Sequence, residues 1–180
     1  MSKVVSVQSR GRVISVSQND PFLLIAGPCQ IESLDHALDI AGRLDEMCTE
    51  MWINLVYKSS FDKANRSSLN SKRGVGLDEG LKILEAVSKT YDLSILTDIH
   101  TPEQCDEVAS VCDIIQIPAF LSRQTDLLLA AGQAAVKHNA AINVKKGQWM
   151  APGDMTNVAA KIESTGCENI MLCDRGTSFG

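Results

Sequence analysis

Residues 94–117, with the sequence SILTDIHTPEQCDEVASVCDIIQI, contain one complete strand–helix–strand repeat, and this repeat decides the fold class. Residues 94–98 and 114–117 are short, mostly apolar runs that are typical of buried strands. Between them, residues 102–111 predict a helix that begins with proline, which is favoured in a first helical turn. Because this order requires a crossover connection, the stretch predicts two parallel strands covered by a helix.

The same alternation extends over the chain in both directions from this repeat. Residues 22–26 (FLLIA) form a continuous apolar run, which predicts a strand buried on both faces, and Ser33 is a suitable N-cap for the next helix. In all, the pattern predicts six strands and five intervening helices. The strands are residues 22–26, 53–57, 94–98, 114–117, 141–144 and 169–173; the helices are residues 33–51, 77–90, 102–111, 125–137 and 155–164.

Two α/β architectures fit this succession: an open doubly wound sheet and a closed (β/α)8 barrel. The first βα turn, residues 27–29 (GPC), lacks the GxGxxG pattern of dinucleotide-binding sheets. A closed barrel needs eight strands and usually about 250 residues. The sequence therefore predicts either an open sheet or a barrel truncated after its sixth strand. No linker-like stretch indicates a second domain within residues 1–180.

The first 20 residues precede the alternation and have a different pattern. Residues 3–8 and 13–17 are rich in β-branched side chains and alternate in polarity, and Arg10 and Gly11 lie between them. This pattern predicts an N-terminal β-hairpin.

The composition excludes several classes of protein. The chain has 44% hydrophobic residues and a formal net charge of −5, whereas a nucleic-acid-binding protein would carry a basic surplus. No apolar run approaches the ~18 residues of a membrane span, and residues 1–20 lack the apolar core of a signal peptide. We therefore expect a cytoplasmic protein. Its six scattered cysteines, which form no CxxC pair, are expected to be reduced thiols.

Polar or titratable side chains stand at or just after the end of every strand of the predicted sheet. Because the carboxyl ends of parallel strands open on one face, we expect these side chains to form one site. Most of the charges are positive although the protein is acidic, which indicates small substrates with several negative charges, such as sugar phosphates or phosphoenolpyruvate. The strand-end residues are Cys29, Lys58, Asp98, His100, Gln116, Lys145 and Arg175, and the other cations are Lys63, Arg66 and Arg123.

Residues 59–76 form a long polar loop after the second strand of the predicted sheet. Loops of this length are usually functional or disordered. Lys63, Asn65, Arg66 and Ser67 bring an ammonium, an amide, a guanidinium and a hydroxyl group into five residues, a combination suited to phosphate. The alternative is a solvated surface loop.

Asp98 and His100 lie two residues apart, so that a strand directs both side chains to one face. Such a pair can carry out acid–base chemistry, support a metal ligand, or form a structural hydrogen bond. Cys29 can be a nucleophile, a metal ligand or an inert buried thiol, and its spacing favours the inert thiol because no His or second Cys accompanies it. His36 and His138 fall on predicted helices and are expected to face solvent.

Several motifs together resemble the 3-deoxy-D-manno-octulosonate 8-phosphate synthase family. The resemblance extends from about residue 20 to the last residue, and its most specific part is KANRS at residues 63–67. The matching motifs are IAGPC at residues 25–29, KSSFDKANRSS at 58–68, TDIH at 97–100, QIPAF at 116–120, RQTD at 123–126, NVKKGQ at 143–148 and CDRG at 173–176.

The resemblance implies a transferase of lipopolysaccharide biosynthesis. The family condenses phosphoenolpyruvate with D-arabinose 5-phosphate and water, giving the eight-carbon sugar acid phosphate and inorganic phosphate. It implies a (β/α)8 TIM barrel whose N-terminal hairpin plugs the bottom, and a homotetramer as the usual assembly.

The resemblance also implies roles for individual residues. Asp98 and His100 would line the centre of the site, with His100 as the candidate proton carrier, and Arg123 would reach a substrate phosphate, either within its own subunit or from a neighbouring one. The pentose phosphate would be held by Asn65, Arg66 and Ser67. Phosphoenolpyruvate would be held by Lys58, Lys63, Gln116, the backbone of Ala119, Lys145 and Arg175.

For Cys29, the resemblance reverses the interpretation from spacing. The family divides into metal-dependent members with Cys after Gly-Pro and metal-independent members with Asn there. Cys29 therefore implies the metal-dependent kind, with Zn²⁺, Fe²⁺ or Mn²⁺ as the ion. The remaining ligands of the family are a His, a Glu and an Asp on the last barrel strands, which we expect to lie beyond Gly180.

Two strand–helix units of the family's barrel are missing from this sequence. An incomplete barrel exposes two sheet edges, which favours aggregation, so we expect that Gly180 is not the natural end and that a polypeptide ending there is inactive. One alternative is the sister enzyme that makes 3-deoxy-D-arabino-heptulosonate 7-phosphate, whose loop typically reads KPRTS instead of KANRS. The other is a non-catalytic remnant that only binds phosphate ligands.

Overall fold

Six parallel strands form one curled sheet in the computed structural model, which describes residues 4–9 and 12–178. The spatial order of the strands follows the chain, so every connection leads to the adjacent strand. The strands of this sheet are β3 (Leu23–Ala26), β4 (Asn54–Lys58), β5 (Ser94–Asp98), β6 (Ile114–Ile117), β7 (Ala141–Lys145) and β8 (Ile170–Cys173). Before them, β1 (Val5–Ser9) and β2 (Arg12–Val16) pair antiparallel.

Five helices connect these strands, as the alternating pattern predicts. They are α1 (Leu34–Glu50), α2 (Leu77–Tyr91), α3 (Cys105–Val111), α4 (Thr125–His138) and α5 (Met155–Glu163). The helix predicted for residues 102–111 divides into a 3-10 turn, Pro102–Gln104, and α3. The predicted hairpin is confirmed for its described strands, whereas Lys3, Arg10 and Gly11 lie outside the described residues.

Ser33 caps α1 as predicted, since its hydroxyl accepts a hydrogen bond from the backbone N–H of His36 at 3.2 Å. The imidazoles of His36 and His138 are half-buried, so the expectation that they face solvent is wrong. His138 is held at the end of α4 by Asp106, with 2.9 Å between Nε2 and the carboxylate. All six cysteines are free thiols, as expected. None of the helices in the described ranges has the length and apolar character needed to cross a membrane.

The two faces of the curled sheet contact different parts of the molecule. Alternate residues point to opposite faces of a strand, and the outward set packs beneath the helices in the main core. The inward set at the amino ends of the strands forms a separate apolar cluster with the hairpin. Its buried members are Val56, Leu96, Ile114 and Ala141 from the sheet and Val5, Val7 and Ile14 from the hairpin. The hairpin thus closes one end of the curled sheet.

Towards the carboxyl ends, the inward face becomes polar two residues further along each central strand. Val56 is followed on this face by Lys58, and Leu96 by Asp98. Ile114 is likewise followed by Gln116. The polar side chains therefore lie at the end of the sheet opposite the hairpin.

The outer strands β3 and β8 each pair with a single neighbour among the described residues. All four residues of β3 are only partly buried, and β8 is partly or fully exposed. The prediction that residues 22–26 are buried on both faces is therefore wrong, because a strand at a sheet edge lacks the cover of a second neighbour. The described architecture is an α/β half-barrel with a hairpin.

Candidate active site

Two lysine ammonium groups share one buried hydroxyl at the carboxyl end of β4. Lys58 Nζ donates to Ser60 Oγ at 3.1 Å, and Lys63 Nζ donates to the same oxygen at 2.8 Å. Ser60 is fully buried, and the ends of β3 and β4 are joined here by a bridge between Gln30 and Ser60. Holding two like charges this close is costly unless an anion compensates them, so the pair is suited to a phosphate or carboxylate.

Asp98 and His100 form the pair that their spacing predicts, with 3.3 Å between Asp98 Oδ2 and His100 Nε2. Burial acts to raise the pKa of Asp98, but hydrogen bonds from His100 and Ser60 and the charge of Lys58 outweigh it and hold that pKa well below its usual range. Asp98 is therefore a carboxylate at neutral pH. Two buried atoms of the pair, Asp98 Oδ1 and His100 Nδ1, have no hydrogen-bond partner within the described structure.

The low pKa of Asp98 predicts a pH dependence of stability. Because the folded state lowers this pKa, the stabilisation is complete above about pH 4, the pKa region of an unfolded aspartate, and is lost as pH falls towards the folded value. Between pH 5 and 3, we expect the free energy of unfolding of the wild type to fall by about 1 kcal/mol more than that of Asp98→Asn, which is nearly the most that one aspartate with an unfolded pKa of about 3.9 can contribute over this range. Urea unfolding at several pH values measures both slopes. Glu46→Gln, which removes an exposed carboxylate in α1, should keep the wild-type slope, and equal slopes for all three proteins would refute the prediction.

Lys58 lies in a cationic cluster at the centre of this face. Burial lowers the pKa of its ammonium, the charge of Asp98 opposes that effect, and the charges of Lys63 and Lys145 lower the pKa further. A bound anion would relieve the repulsion among these lysines, so the cluster favours ligands with negative charge.

Gln116 and Asn143 form a buried amide pair on the neighbouring strands β6 and β7. Asn143 Nδ2 donates to Gln116 Oε1 at 3.1 Å, and both side chains lie on the inward face. Beyond β6, Ala119 is buried in the 3-10 turn Ala119–Leu121, and Arg123 follows in an exposed position. Arg175 is also exposed, in the segment after β8.

The loop between β4 and α2 is pinned at its base. Arg73 forms a two-pronged ion pair with Asp62, in which Nε donates to Oδ1 at 2.8 Å and Nη2 donates to Oδ2. Lys63 N donates to the carbonyl of Arg73 at 2.6 Å, which closes the backbone at the same point. The Arg73 guanidinium lowers the pKa of Asp62. The two ends of the segment 64–72 are therefore held together in fixed positions.

This loop and the β3–α1 connection enclose a cleft of about 380 Å³. Arg66 is half-buried there, and its Nε is buried without a hydrogen-bond partner in the described structure. Ser67 is exposed and is not among the lining residues. The cleft is lined by Pro28, Cys29, Gln30, Glu32, Lys63, Asn65, Arg66, Ser71 and Lys72. Residues 64–74 are exposed apart from the half-buried Arg66, so the loop is solvated and also forms one wall of the cleft.

Cys29 is exposed at this cleft, so the interpretation as a buried thiol is wrong. The described ranges contain no group of three or more His, Cys, Asp or Glu side chains that could hold a metal ion. Cys29 therefore belongs to no such group, and the described residues do not by themselves form a metal site.

A comparison with protein families identifies the family of this chain. The model of the DAHP synthetase I family matches residues 4–180, which is nearly the whole chain. The chain belongs to this family.

Curated relatives of this chain carry the name 2-dehydro-3-deoxyphosphooctonate aldolase, a synonym of the octulosonate 8-phosphate synthase that the motifs resemble. The protein of Rhizobium meliloti is 54% identical over 179 residues, which are 99% of this chain and 62% of the relative. That of Agrobacterium fabrum is 56% identical over 93% of this chain and 58% of the relative. That of Bartonella henselae is 53% identical over 100% and 63%. The resemblance is confirmed, and the chain spans about three fifths of the length of these relatives.

Three polar residues of the candidate site were not predicted as site residues. Ser60 and Asn143 take part in the contacts described above. The third is Lys146, which is buried next to Lys145. The sequence carried a signal for Asn143, because it lies two residues before Lys145 on the same strand and so shares its face. Ser60 lies two residues after Lys58 and so shares its face in the same way, whereas alternation places Lys146 on the face opposite to Lys145 and gave no signal for it.

The ring of Phe61 packs against the imidazole of His100. The two rings meet edge to face, with centroids 5.7 Å apart and an interplanar angle of 78°. Phe61 is held in turn by α2, which approaches it at Gly80. A Cβ atom at Gly80 would lie 2.4 Å from Phe61 Cβ, a contact that cannot persist.

Gly80→Ala should therefore destabilise the protein, although alanine is the better helix former by about 1 kcal/mol. We expect the free energy of unfolding to fall by about 1–3 kcal/mol, because Phe61 Cβ is close to the backbone and cannot rotate away. Urea unfolding measures the change. Gly153→Ala is the control, since a Cβ there meets nothing within 4 Å. Equal or greater stability of Gly80→Ala would contradict the prediction.

Proposed function

We propose that this protein catalyses the condensation of phosphoenolpyruvate with D-arabinose 5-phosphate and water. The products are 3-deoxy-D-manno-octulosonate 8-phosphate and inorganic phosphate. The observation that carries the proposal is the junction at Lys63, whose ammonium meets Lys58 at Ser60 and whose side chain also lines the cationic cleft. Two anion-binding regions therefore adjoin, as a reaction between two phosphorylated substrates requires.

The first region, on the inward face of the sheet, is the proposed site of phosphoenolpyruvate. Lys58 and Lys63 supply point charges for its carboxylate and phosphate, and Arg175 supplies a guanidinium suited to two-pronged contact. Gln116, oriented by Asn143, supplies an amide. The complete proposed set is Lys58, Lys63, Gln116, the backbone N–H of Ala119, Lys145 and Arg175.

The second region, the cleft, is the proposed site of the pentose phosphate. Asn65 and Arg66 line it, and the unpartnered Nε of Arg66 is a free donor for a phosphate oxygen. Ser67 adjoins them, and Arg123 is proposed to reach a substrate phosphate from the loop after β6. Because the loop is pinned by Asp62 and Arg73, these donors need little further ordering on binding, which favours affinity.

In the proposed reaction, carbon 3 of phosphoenolpyruvate attacks the aldehyde carbon of the pentose, while water adds to carbon 2. The C–O bond to phosphate then breaks, and inorganic phosphate leaves. The lysines and arginines offset the repulsion between the two anions and hold them close, which supplies proximity and electrostatic stabilisation. His100, held by Asp98, is the proposed proton carrier to the developing alkoxide. A His100→Ala protein with full turnover would refute that role.

The test is the consumption of phosphoenolpyruvate by the purified protein. We expect consumption only when D-arabinose 5-phosphate is present, with one phosphate released for each phosphoenolpyruvate. Consumption with erythrose 4-phosphate instead would establish the seven-carbon alternative, which the names of the relatives do not favour. Calorimetric binding of phosphoenolpyruvate without any turnover would establish the alternative that the protein only binds phosphate ligands.

We further propose that Cys29 is one ligand of a divalent metal ion, Zn²⁺, Fe²⁺ or Mn²⁺. The support is the family motif and the exposure of the thiol at the cleft. When bound, such an ion would supply Lewis-acid polarisation of a substrate oxygen. Because the described residues offer one donor and not a full set, no step above depends on the ion.

Elemental analysis of the purified protein tests this metal proposal without an activity assay. We expect a bound divalent ion in the wild type, held by Cys29 together with further ligands, and a clear loss of it in Cys29→Ser. Cys173→Ser, which alters a half-buried thiol at the end of β8, is the control and should retain the ion. An equal metal content in all three proteins would exclude Cys29 as a ligand.

The resemblance supports three further proposals: a single domain of the (β/α)8-barrel type that is truncated after its sixth strand, a homotetramer, and a cytoplasmic location in lipopolysaccharide biosynthesis. Light scattering of the purified protein tests the assembly, for which we expect four times the mass of one chain. Fractionation of the source cells tests the location.

A further inference from the structure

Lys146 is a buried cation that the proposed mechanism leaves without a role. It directly follows β7, and only 3% of its surface is exposed. Its Nζ donates to the carbonyl oxygens of Gly176 at 2.8 Å and of Gly147 and Met150 at 3.3 Å each. The same atom lies 3.3 Å from Asp174 Oδ1. With four oxygens around a buried ammonium, Lys146 is a structural donor and is not available to a substrate.

Lys146 contacts the two residues that flank Arg175 in the sequence. Asp174 precedes Arg175 and Gly176 follows it, and both are held by the one ammonium group. Asp174 Oδ1 also accepts a hydrogen bond from Gly176 N at 3.2 Å, so the turn around Arg175 is closed on itself. The turn is otherwise exposed, and Gly176 has a positive φ of 78°. A buried anchor therefore fixes the backbone on both sides of an exposed guanidinium.

We propose that Lys146 is the positioning residue for Arg175, which it holds at the rim of the site by anchoring residues 174–176 to the β7–α5 connection. The inference rests on the proposed function, because Arg175 is the group whose contact with phosphoenolpyruvate is to be fixed. Preorganisation of this kind raises affinity, since an unanchored arginine must lose its freedom on binding.

The first test measures the anchoring alone, by limited trypsin digestion followed by mass spectrometry. Lys146→Met removes the ammonium but keeps the length of the side chain. We expect cleavage after Arg175 to become at least about tenfold faster, as the loss of hydrogen bonds to a charged group predicts. Cleavage after Lys72, in the exposed loop before α2, is the internal control and should keep its wild-type rate. Acceleration at both sites, or at neither, would overturn the anchoring.

The second test measures the coupling of Lys146 to Arg175 through the dissociation constant of phosphoenolpyruvate, by calorimetry. We expect Arg175→Met and Lys146→Met each to raise this constant about tenfold to a hundredfold. The double variant should bind no more weakly than Arg175→Met alone, because Lys146 acts only through Arg175. Independent, multiplied losses would overturn the positioning role. If Arg175→Met binds normally, the proposed role of Arg175 fails, while the trypsin result still decides whether Lys146 anchors the turn.

Discussion

Lys58→Met should lower kcat/KM for the proposed condensation by about 10²–10³-fold, the usual effect of removing one preorganised electrostatic donor. Lys58 is the member of the cluster that contacts most of the others. Its ammonium shares Ser60 with Lys63, interacts with Asp98 and is repelled by Lys145. Methionine keeps the apolar stem in place and removes only the charge. The substitution removes one positive charge from the site, and it also leaves the negative charge of Asp98 without the cation that compensates it. Both changes weaken the attraction of the site for anions.

Steady-state kinetics with both substrates measure the effect of Lys58→Met. Lys82→Met is the matched control, since Lys82 is an exposed lysine on α2 and the substitution makes the same change in net charge. We expect wild-type kcat/KM for the control within about twofold. A Lys58→Met protein that stays within tenfold of the wild type would remove Lys58 from the proposed substrate site.

Gly27→Ala should have the largest effect on stability among the glycine substitutions. A Cβ at this position would lie 2.0 Å from the carbonyl oxygen of Lys58 and 2.9 Å from its carbonyl carbon. Both atoms are backbone atoms of the adjoining strand, so neither can rotate aside. The ends of β3 and β4 would have to separate. We expect a loss of about 3 kcal/mol in the free energy of unfolding, at the upper end of ordinary overpacking effects.

Thermal unfolding measures the Gly27→Ala effect. For a domain of this size, 3 kcal/mol corresponds to a fall in Tm of roughly 6–12 °C. Gly153→Ala again serves as the control and should keep or slightly raise Tm, because its methyl group meets open space. We also expect Gly27→Ala to weaken phosphoenolpyruvate binding, since Lys58 moves with its strand. An unchanged Tm would show that the two strand ends can separate at little cost.

Most of the sheet could be predicted from the sequence because its strands are local apolar runs between clear helical patterns. The ranges Ser94–Asp98 and Ile114–Ile117 agree with the prediction to the residue. The prediction failed for β3, whose apolar run resembles that of a central strand. A run of apolar residues reports the hydrophobicity of a strand but not the number of its neighbours, which depends on the rest of the sheet.

The site could be predicted in part for the same reason. Alternation along β5 correctly paired Asp98 with His100, because both lie near one strand end. The role of Ser60 depends on where two lysine side chains converge, and that of Lys146 depends on a turn some 30 residues later in the chain. Such contacts join residues that come together only in the folded chain, so no periodic pattern in the sequence predicts them.

The change from apolar to polar residues along the inward face limits how this protein tolerates insertions and deletions. On β4, Val56 contacts the hairpin and Lys58 is a proposed site residue. Only one residue lies between them, and it faces the helices. One residue inserted between the hairpin end and Lys58 would turn the lysine towards the helices, because side chains alternate along a strand. Residues 64–72 lie in the loop that is closed by the Asp62–Arg73 ion pair. They belong to no strand, so their number does not decide which way a strand side chain faces. Length variation that preserves the chemistry is therefore confined to the loops, and a new substrate specificity would arise there without disturbing the frame of the sheet.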